Sequence, residues 1–156
     1  MRQVTLCFLV RENEICLAMK KRGFGTGKWN GMGGKVDAGE TVSEAAVREL
    51  REESGVEAKI EDLEKVAAIQ FIFPESKADW TQEVHVFFIR QWENEPIETE
   101  EMSPKWFAIE NIPYDSMWID DPIWLPKVLE GKKISASFYL SEDGSEMLKT
   151  ELTEIT

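Results

Sequence analysis

GKVDAGETVSEAAVRELREESGV, residues 34–56, couples a glycine-rich approach to a strongly signalled helix. Thr41 followed three residues later by Glu44 forms a T-x-x-E capping box, and Gly55 supplies the stop, so the spacing predicts a helix over 42–54. At about 100° per residue, Val42, Ala45, Ala46 and Leu50 make one apolar stripe. Glu49 and Glu53 fall inside that stripe, with Glu52 at its edge. Carboxylates turned inward are costly unless a cation, a proton or an arginine neutralises them. A hard divalent metal, which takes oxygen ligands, answers that need. The competing reading is a helix face turned to solvent, on which Glu52 pairs with Arg48 one turn back.

Upstream, residues 20–41 hold seven of the ten glycines together with Phe24, Trp29 and Met32, the composition of a site loop. Before that loop, 3–10 and 14–19 are β-rich runs split by Arg11-Glu12-Asn13, which predicts a hairpin. After the helix come strand-like 65–73 and 83–92, and a short strand over 105–109 ahead of Ile112-Pro113. A second helix from Pro122 to about Glu130 follows, then strand-like 134–140 and 147–152. Strands before, between and after two helices predict an α/β fold, a mixed β-sheet sandwiched between helices (α/β/α). A chain of 156 residues has room for one domain, with a core large enough to need no disulfide or structural metal.

Thirty acidic against eighteen basic residues give a formal charge of -12. That field repels a nucleic-acid polymer, and a phosphate-bearing ligand needs a cation or a few placed basic residues to approach. Two cysteines, Cys7 and Cys16, with a single histidine exclude a Cys/His zinc site and read as reduced core residues. No apolar run reaches the ~20 residues of a membrane span. The opening MRQVTLCFLVRENE lacks the h-region and cleavage site of a signal peptide, so the expectation is a cytoplasmic protein with no membrane partner.

Gly34, then Glu40 after five intervening residues, then Arg48-Glu49-Leu50-Arg51-Glu52-Glu53-Ser54-Gly55-Val56 after seven more match every fixed position of the Nudix box. The sequence thereby resembles the Nudix superfamily of nucleoside-diphosphate-linked hydrolases. The resemblance implies a single Nudix domain over 1–156, with its box at 34–56. It also implies Mg²⁺, replaceable by Mn²⁺, held by Glu49, Glu52, Glu53 and a backbone carbonyl near Gly33. Glu53 is then the favoured metal ligand or water activator, and Arg48 orients a catalytic carboxylate through charge-assisted hydrogen bonds.

Outside the box, Met19-Lys20-Lys21-Arg22-Gly23-Phe24-Gly25, Trp29-Asn30-Gly31 and Trp118-Ile119-Asp120-Asp121 with Trp124 resemble the MutT-homologue group of oxidised-purine nucleoside triphosphatases. The substrate implied is a small-molecule nucleotide, 8-oxo-dGTP or 2-oxo-dATP, cleaved to monophosphate and pyrophosphate by a monomer. The same resemblance puts Lys20 near the sugar or phosphates and Thr5 in the pocket floor, and brings Glu101 to the metal from an opposite loop. Two departures stand out: Ile119 replaces the group's proline, freeing the backbone there, and the loop 74–83 is longer.

Physically, Phe24, Phe71, Trp118 and Trp124 offer flat surfaces to a purine and Met102 a soft wall, although Phe71 suits the core equally well. Asn30 presents an amide donor and acceptor, or else only a turn residue. Adjacent Asp120 and Asp121 in an aromatic segment predict at least one raised pKa, and a protonated–ionised pair that reads a purine edge. The alternative for Asp121 is the N-cap of the helix beginning at Pro122. His85 reads as structural. A different nucleotide substrate, whether normal, methylated or a nucleotide sugar, and a catalytically idle binding module both stay open.

Overall fold

Alternating apolar residues in the first strand feed two separate cores, and this places one helix on each face of the sheet. The structure, a computed structural model, describes residues 1–155. Its strands are β1 (Arg2–Arg11), β2 (Glu14–Lys20), β3 (Trp29–Asn30), β4 (Leu63–Ile72), β5 (Gln82–Ile89), β6 (Met102–Ala108), β7 (Lys133–Leu140) and β8 (Met147–Ile155). The helices are α1 (Val42–Ser54) and α2 (Asp121–Leu129). They form one mixed sheet of order β3-β2-β1-β5-β4-β7-β8, with β6 paired to β2. The β1–β5 and β4–β7 pairs are parallel and the others antiparallel. Phe8 and Val10 of β1 join Val86, Phe88, Phe138, Trp124 and Leu125 in one cluster. Cys7 and Leu9 join Ala46, Leu50, Phe87 and Ile89 in the other. This is the α/β/α sandwich that the element order implied.

Helix α1 starts and stops where its sequence directs. The Glu44 N–H donates to Thr41 Oγ1 (3.1 Å) and the Thr41 N–H donates to Glu44 Oε1 (2.8 Å), which completes the capping box. Gly55 adopts φ 78° and closes the last turn onto the Arg51 carbonyl.

The feature that makes a site is a split in the sheet. β1 and β2 pair only beside their hairpin, through Val10↔Ile15 and Arg11↔Glu14, and then splay. The glycine segment enters the split: Trp29 and Asn30 pair with Met19 and Ala18 of β2, while Met32 and Lys35 bridge to Cys7 and Val4 of β1. So close an approach explains the glycines. A Cβ at Gly31 would lie 2.8 Å from the Cys7 carbonyl oxygen, and one at Gly33 would lie 1.9 Å from that of Thr5.

Boundaries moved where proline or turn chemistry intervened. The strand expected over 105–109 begins at Met102 and runs through Pro104, because β6 pairs with β2 alone and an edge strand tolerates a residue without an N–H. The loop 74–83 contains 3₁₀ turns over Glu75–Trp80, and the strand expected over 83–92 ends at Ile89. Cys7 and Cys16 are free, buried thiols, each pushed up to about 12, chiefly by burial.

Gly33→Ala is expected to lower unfolding stability by about 1–3 kcal/mol, since a methyl group there meets backbone that cannot rotate away. Urea unfolding measures it, and a midpoint equal to wild type would contradict the close approach.

Candidate active site

Glu53, at the end of the apolar stripe of α1, is carried beneath the glycine segment and is only 6% exposed. The Gly33 N–H donates to Glu53 Oε1 (2.7 Å). Burial, then the charges of Glu49 and Glu101, push this carboxyl up to about 8, with Gly33 and Lys20 pulling the other way. Thr5, buried in β1, fixes the same segment: its hydroxyl donates to the Gly34 carbonyl (3.2 Å) and lies 3.3 Å from the Gly34 N–H. Gly34 itself leaves room for a carboxylate, as a Cβ there would lie 2.5 Å from Glu49 Cδ.

Arg48 organises the remaining acids. Its Nε and Nη2 donate to the two carboxylate oxygens of Glu40 (2.6 and 2.9 Å), a bidentate pair, and Nη2 also donates to the Lys35 carbonyl (3.1 Å). Its Nη1 donates to Glu49 Oε1 (3.0 Å) and Glu52 Oε2 (3.2 Å). These contacts hold Glu40 down to about 2, with the Arg48 hydrogen bonds as the main cause, and raise Arg48 above its usual value. Burial raises the Glu49 carboxyl against the pull of Arg48.

The donor set suits a hard divalent cation: carboxylates with raised pKa values, oxygen-rich surroundings, and a Gly33 carbonyl that accepts no hydrogen bond among the described residues. The arrangement nevertheless departs from the expected cluster of Glu49, Glu52, Glu53 and Glu101. Among the described residues no three Asp, Glu, His or Cys side chains converge closely enough to grip an ion. Arg48 draws Glu49 and Glu52 to itself, and the exposed Glu101 lies 3.7 Å from Arg22. Cation binding at this site therefore requires those acids to turn from arginine to the ion.

From Glu53 and Gly33 a cavity of about 330 Å³ runs to the start of α2. Every expected base- and sugar-site residue lines it: Thr5, Lys20, Phe24, Asn30, Phe71, Met102, Trp118, Asp120, Asp121 and Trp124. They do not all present what the sequence suggested. Phe24 is 76% exposed and stacks on Trp118 at 5.2 Å, forming an aromatic lip. Phe71 lies between wall and core, stacked on Phe138. Trp124 is 1% exposed and packs in the core against Phe8, which leaves little of its ring open for stacking, and its Nε1 donates to Asp120 Oδ2 (2.8 Å). Asn30 Oδ1 accepts the Gly31 N–H (2.8 Å), which leaves the amide nitrogen for the cavity. Lys20 has no ion pair among the described residues, unlike Lys21 and Arg22, which meet Glu98, Glu100 and Glu101.

Asp121 does not cap α2. The helix begins at Asp121 itself, and Asp120 precedes it without bonding a backbone amide through its side chain. Asp121 Oδ2 instead accepts the Trp118 N–H (3.1 Å), which pins the aromatic segment. Both carboxyls are raised, by burial above all, and for Asp121 by the Asp120 charge as well. Both shifts favour protonation of the pair. His85 is held by Lys65 and by Gln3, away from the cavity lining.

Lining residues that the sequence did not mark are Lys28, whose ammonium lies 5.2 Å from the Trp118 ring, Phe73, Trp80, Gln82 and Asp143. Their positions follow from loops meeting at the mouth, where Ser76 Oγ bonds Glu142 (3.1 Å), and no local motif announces such a meeting.

Fold, box and cavity together define a Nudix hydrolase, and the NUDIX domain model matches residues 1–128: the chain belongs to this family. Over 135 residues it is 45% identical to the "Oxidized purine nucleoside triphosphate hydrolase" of Danio rerio, covering 86% of this chain and 84% of that protein. The protein of the same name from Mus musculus is 41% identical over 154 residues, 99% of this chain and 96% of the relative. A MutT protein from Bacillus halodurans superposes with a TM-score of 0.83 at 26% identity, covering 97% of both chains. Nudix hydrolases generally use a divalent metal.

A carboxyl whose pKa is raised on folding keeps its proton in the folded state while the unfolded chain ionises, so stability falls as pH rises between the two values. Asp121→Asn mimics the protonated form and keeps an acceptor for the Trp118 N–H. Its melting temperature relative to wild type should therefore climb from about pH 4 to about pH 8. Parallel pH profiles for the two proteins would show that Asp121 is ionised when folded.

Proposed function

We propose that this Nudix hydrolase cleaves oxidised purine nucleoside triphosphates, 8-oxo-dGTP and 2-oxo-dATP among them, to monophosphate and pyrophosphate with Mg²⁺, or with Mn²⁺ in its place. One observation carries the reading: Glu53, Gly33 and Lys20 line the same cavity as Asp120, Asp121 and Asn30. A triphosphate reaching the acidic end thus has its base at the carboxyl pair. The volume, about 330 Å³, lies within the range of small-molecule sites. Two relatives at 45% and 41% identity bear this activity in their names. The unit is a single domain over residues 1–156, working as a cytoplasmic monomer on a free nucleotide rather than on a nucleic-acid polymer or at a membrane; a charge of -12 supports this by repelling a polyanion.

Mg²⁺ would be held by Glu49, Glu52, Glu53, Glu101 and the Gly33 carbonyl, where it supplies charge neutralisation for the phosphates and a more acidic water. The chain's own groups do the rest. Glu53 keeps Oε1 on the Gly33 N–H and takes the attacking water's proton on Oε2. Arg48 stays anchored on Glu40 while Glu49 and Glu52 turn to the ion, and Lys20 meets phosphate oxygens. Attack at the β-phosphorus breaks its bond to the bridging oxygen, which leaves with the monophosphate. Phe24 and Trp118 cover the base, and the shared proton of Asp120 and Asp121 gives its edge a donor beside an acceptor.

Turnover with Mg²⁺ across 8-oxo-dGTP, 2-oxo-dATP, dGTP, dATP and a nucleotide sugar tests the substrate class. The oxidised purines should lead in kcat/KM by at least about tenfold, since a buried polar pair left unmatched is costly. Equal rates would point to a broader Nudix activity, and no turnover to an idle module. Glu53→Gln should lose about 10²–10⁴-fold in kcat while still binding nucleotide; near-wild-type hydrolysis would remove Glu53 from the chemistry. Hydrolysis in ¹⁸O-water should label the pyrophosphate, and label in the monophosphate would move the attack to the α-phosphorus.

A further inference from the structure

Gln82 opens β5, in register with Phe71 of β4 and Arg2 of β1. The period-two alternation sends Gln82 to the same face as Val84, Val86 and Phe88, and both Gln82 and Val84 line the cavity. On the same face the strands around it contribute Val4, Leu6, Ile69, Phe71 and Leu140 to that cavity, all apolar. Among the described residues the Gln82 carboxamide has no hydrogen-bond partner, whereas Thr81 beside it bonds the Phe73 N–H and Gln3 on β1 bonds His85. A half-buried amide with an unspent donor and acceptor thus faces the cavity from the sheet, on a different element from the carboxyl pair at α2.

We infer that Gln82 is a specificity-determining residue that reads the oxidised edge of the purine, the N7–H and C8=O pair of an 8-oxopurine. The inference rests on the oxidised-purine reading above. With one base edge on Asp120 and Asp121 and the sugar directed toward Lys20 and Glu53, the remaining edge is N7–C8. An 8-oxopurine presents there an N–H beside a carbonyl, a lactam that a carboxamide matches with two parallel hydrogen bonds: N7–H to Oε1, and Nε2–H to O8. An unmodified purine presents N7 as an acceptor beside C8–H, so at most one bond forms, and the other amide atom is shut against apolar walls without a partner. The 2-oxopurine carries its extra oxygen on another edge, and Gln82 treats it as it treats adenine.

The test compares kcat/KM for 8-oxo-dGTP, dGTP, 2-oxo-dATP and dATP in wild type, Gln82→Met and Gln82→Glu. Methionine keeps the length and removes both polar atoms; glutamate keeps an acceptor for N7–H and loses the donor to O8. The 8-oxo-dGTP to dGTP ratio is expected to fall about 5- to 30-fold in Gln82→Met, the loss of one to two neutral hydrogen bonds, and to fall also in Gln82→Glu. The 2-oxo-dATP to dATP ratio should stay constant, which a general packing defect would not allow to coincide with a fall in the first ratio. Equal losses on all four nucleotides, or an 8-oxo preference that survives both substitutions, would overturn the role of Gln82 alone. A wild-type enzyme with no preference for either oxidised purine would overturn the substrate reading and this inference together.

Discussion

A single hydrogen bond, from the Gly33 N–H to Glu53 Oε1 at 2.7 Å, ties helix α1 to the glycine segment lodged between β1 and β2. Everything at the acidic end hangs on that contact. Glu53 lies in the helix's buried stripe, where an unpartnered carboxylate would be expensive, and the backbone amide is one partner that keeps it there. The amide can reach it because Gly33 has no Cβ to strike the Thr5 carbonyl, so the close approach of loop and strand is itself a condition for the carboxylate's position. Thr5 and the Cys7↔Met32 bridge hold the segment from the strand side, and the split between β1 and β2 gives it space.

Charge is arranged outward from the same point. Arg48 clamps Glu40 bidentately and fans to Glu49 and Glu52, so one guanidinium joins the loop before the helix to two acids on the helix. In a protein of charge -12, such a cluster would repel itself and any phosphate. Arginine offsets part of that repulsion locally, and the residual negative charge with oxygen donors is the environment that a hard cation favours. At the opposite end of the cavity, burial rather than metal chemistry governs: it favours protonation of Asp120 and Asp121, which are held by Trp124 and by the Trp118 N–H. The cavity therefore runs from an end of charge and oxygen donors to a buried carboxyl pair whose protonation is favoured.

Much of the site was legible because its elements are local. The capping box, the Gly55 stop and the 3.6-residue stripe fix which α1 side chains turn inward: Glu53 is buried as the periodicity required, while Glu52, placed at the edge of the stripe, stands in solvent. The strands showed in runs of β-branched and aromatic residues, with β6 truncated only because Pro104 hid its start. Trp124 and Asp121 went differently. An aromatic near a site carries no sign of which face the core will claim, and an acid before a helix proline suits a cap or a pin on the preceding loop equally well until the backbone is placed.

The sequence by itself determined the Nudix box, the helix that carries its acids and the mixed α/β sandwich, since each depends on spacing within a few turns or strands of chain, while the residues that line the cavity followed from the resemblance outside the box. Only the tertiary structure decided that Arg48 rather than a shared centre holds Glu49 and Glu52, that Trp124 serves Asp120 by its edge, and that Gln82, Lys28 and Trp80 belong to the cavity. The reason is that these depend on contacts between distant segments. The splay of β1 from β2 and the meeting of the 75–80 turns with the β7–β8 hairpin are settled by how whole faces pack, and packing averages over many residues that no short pattern records.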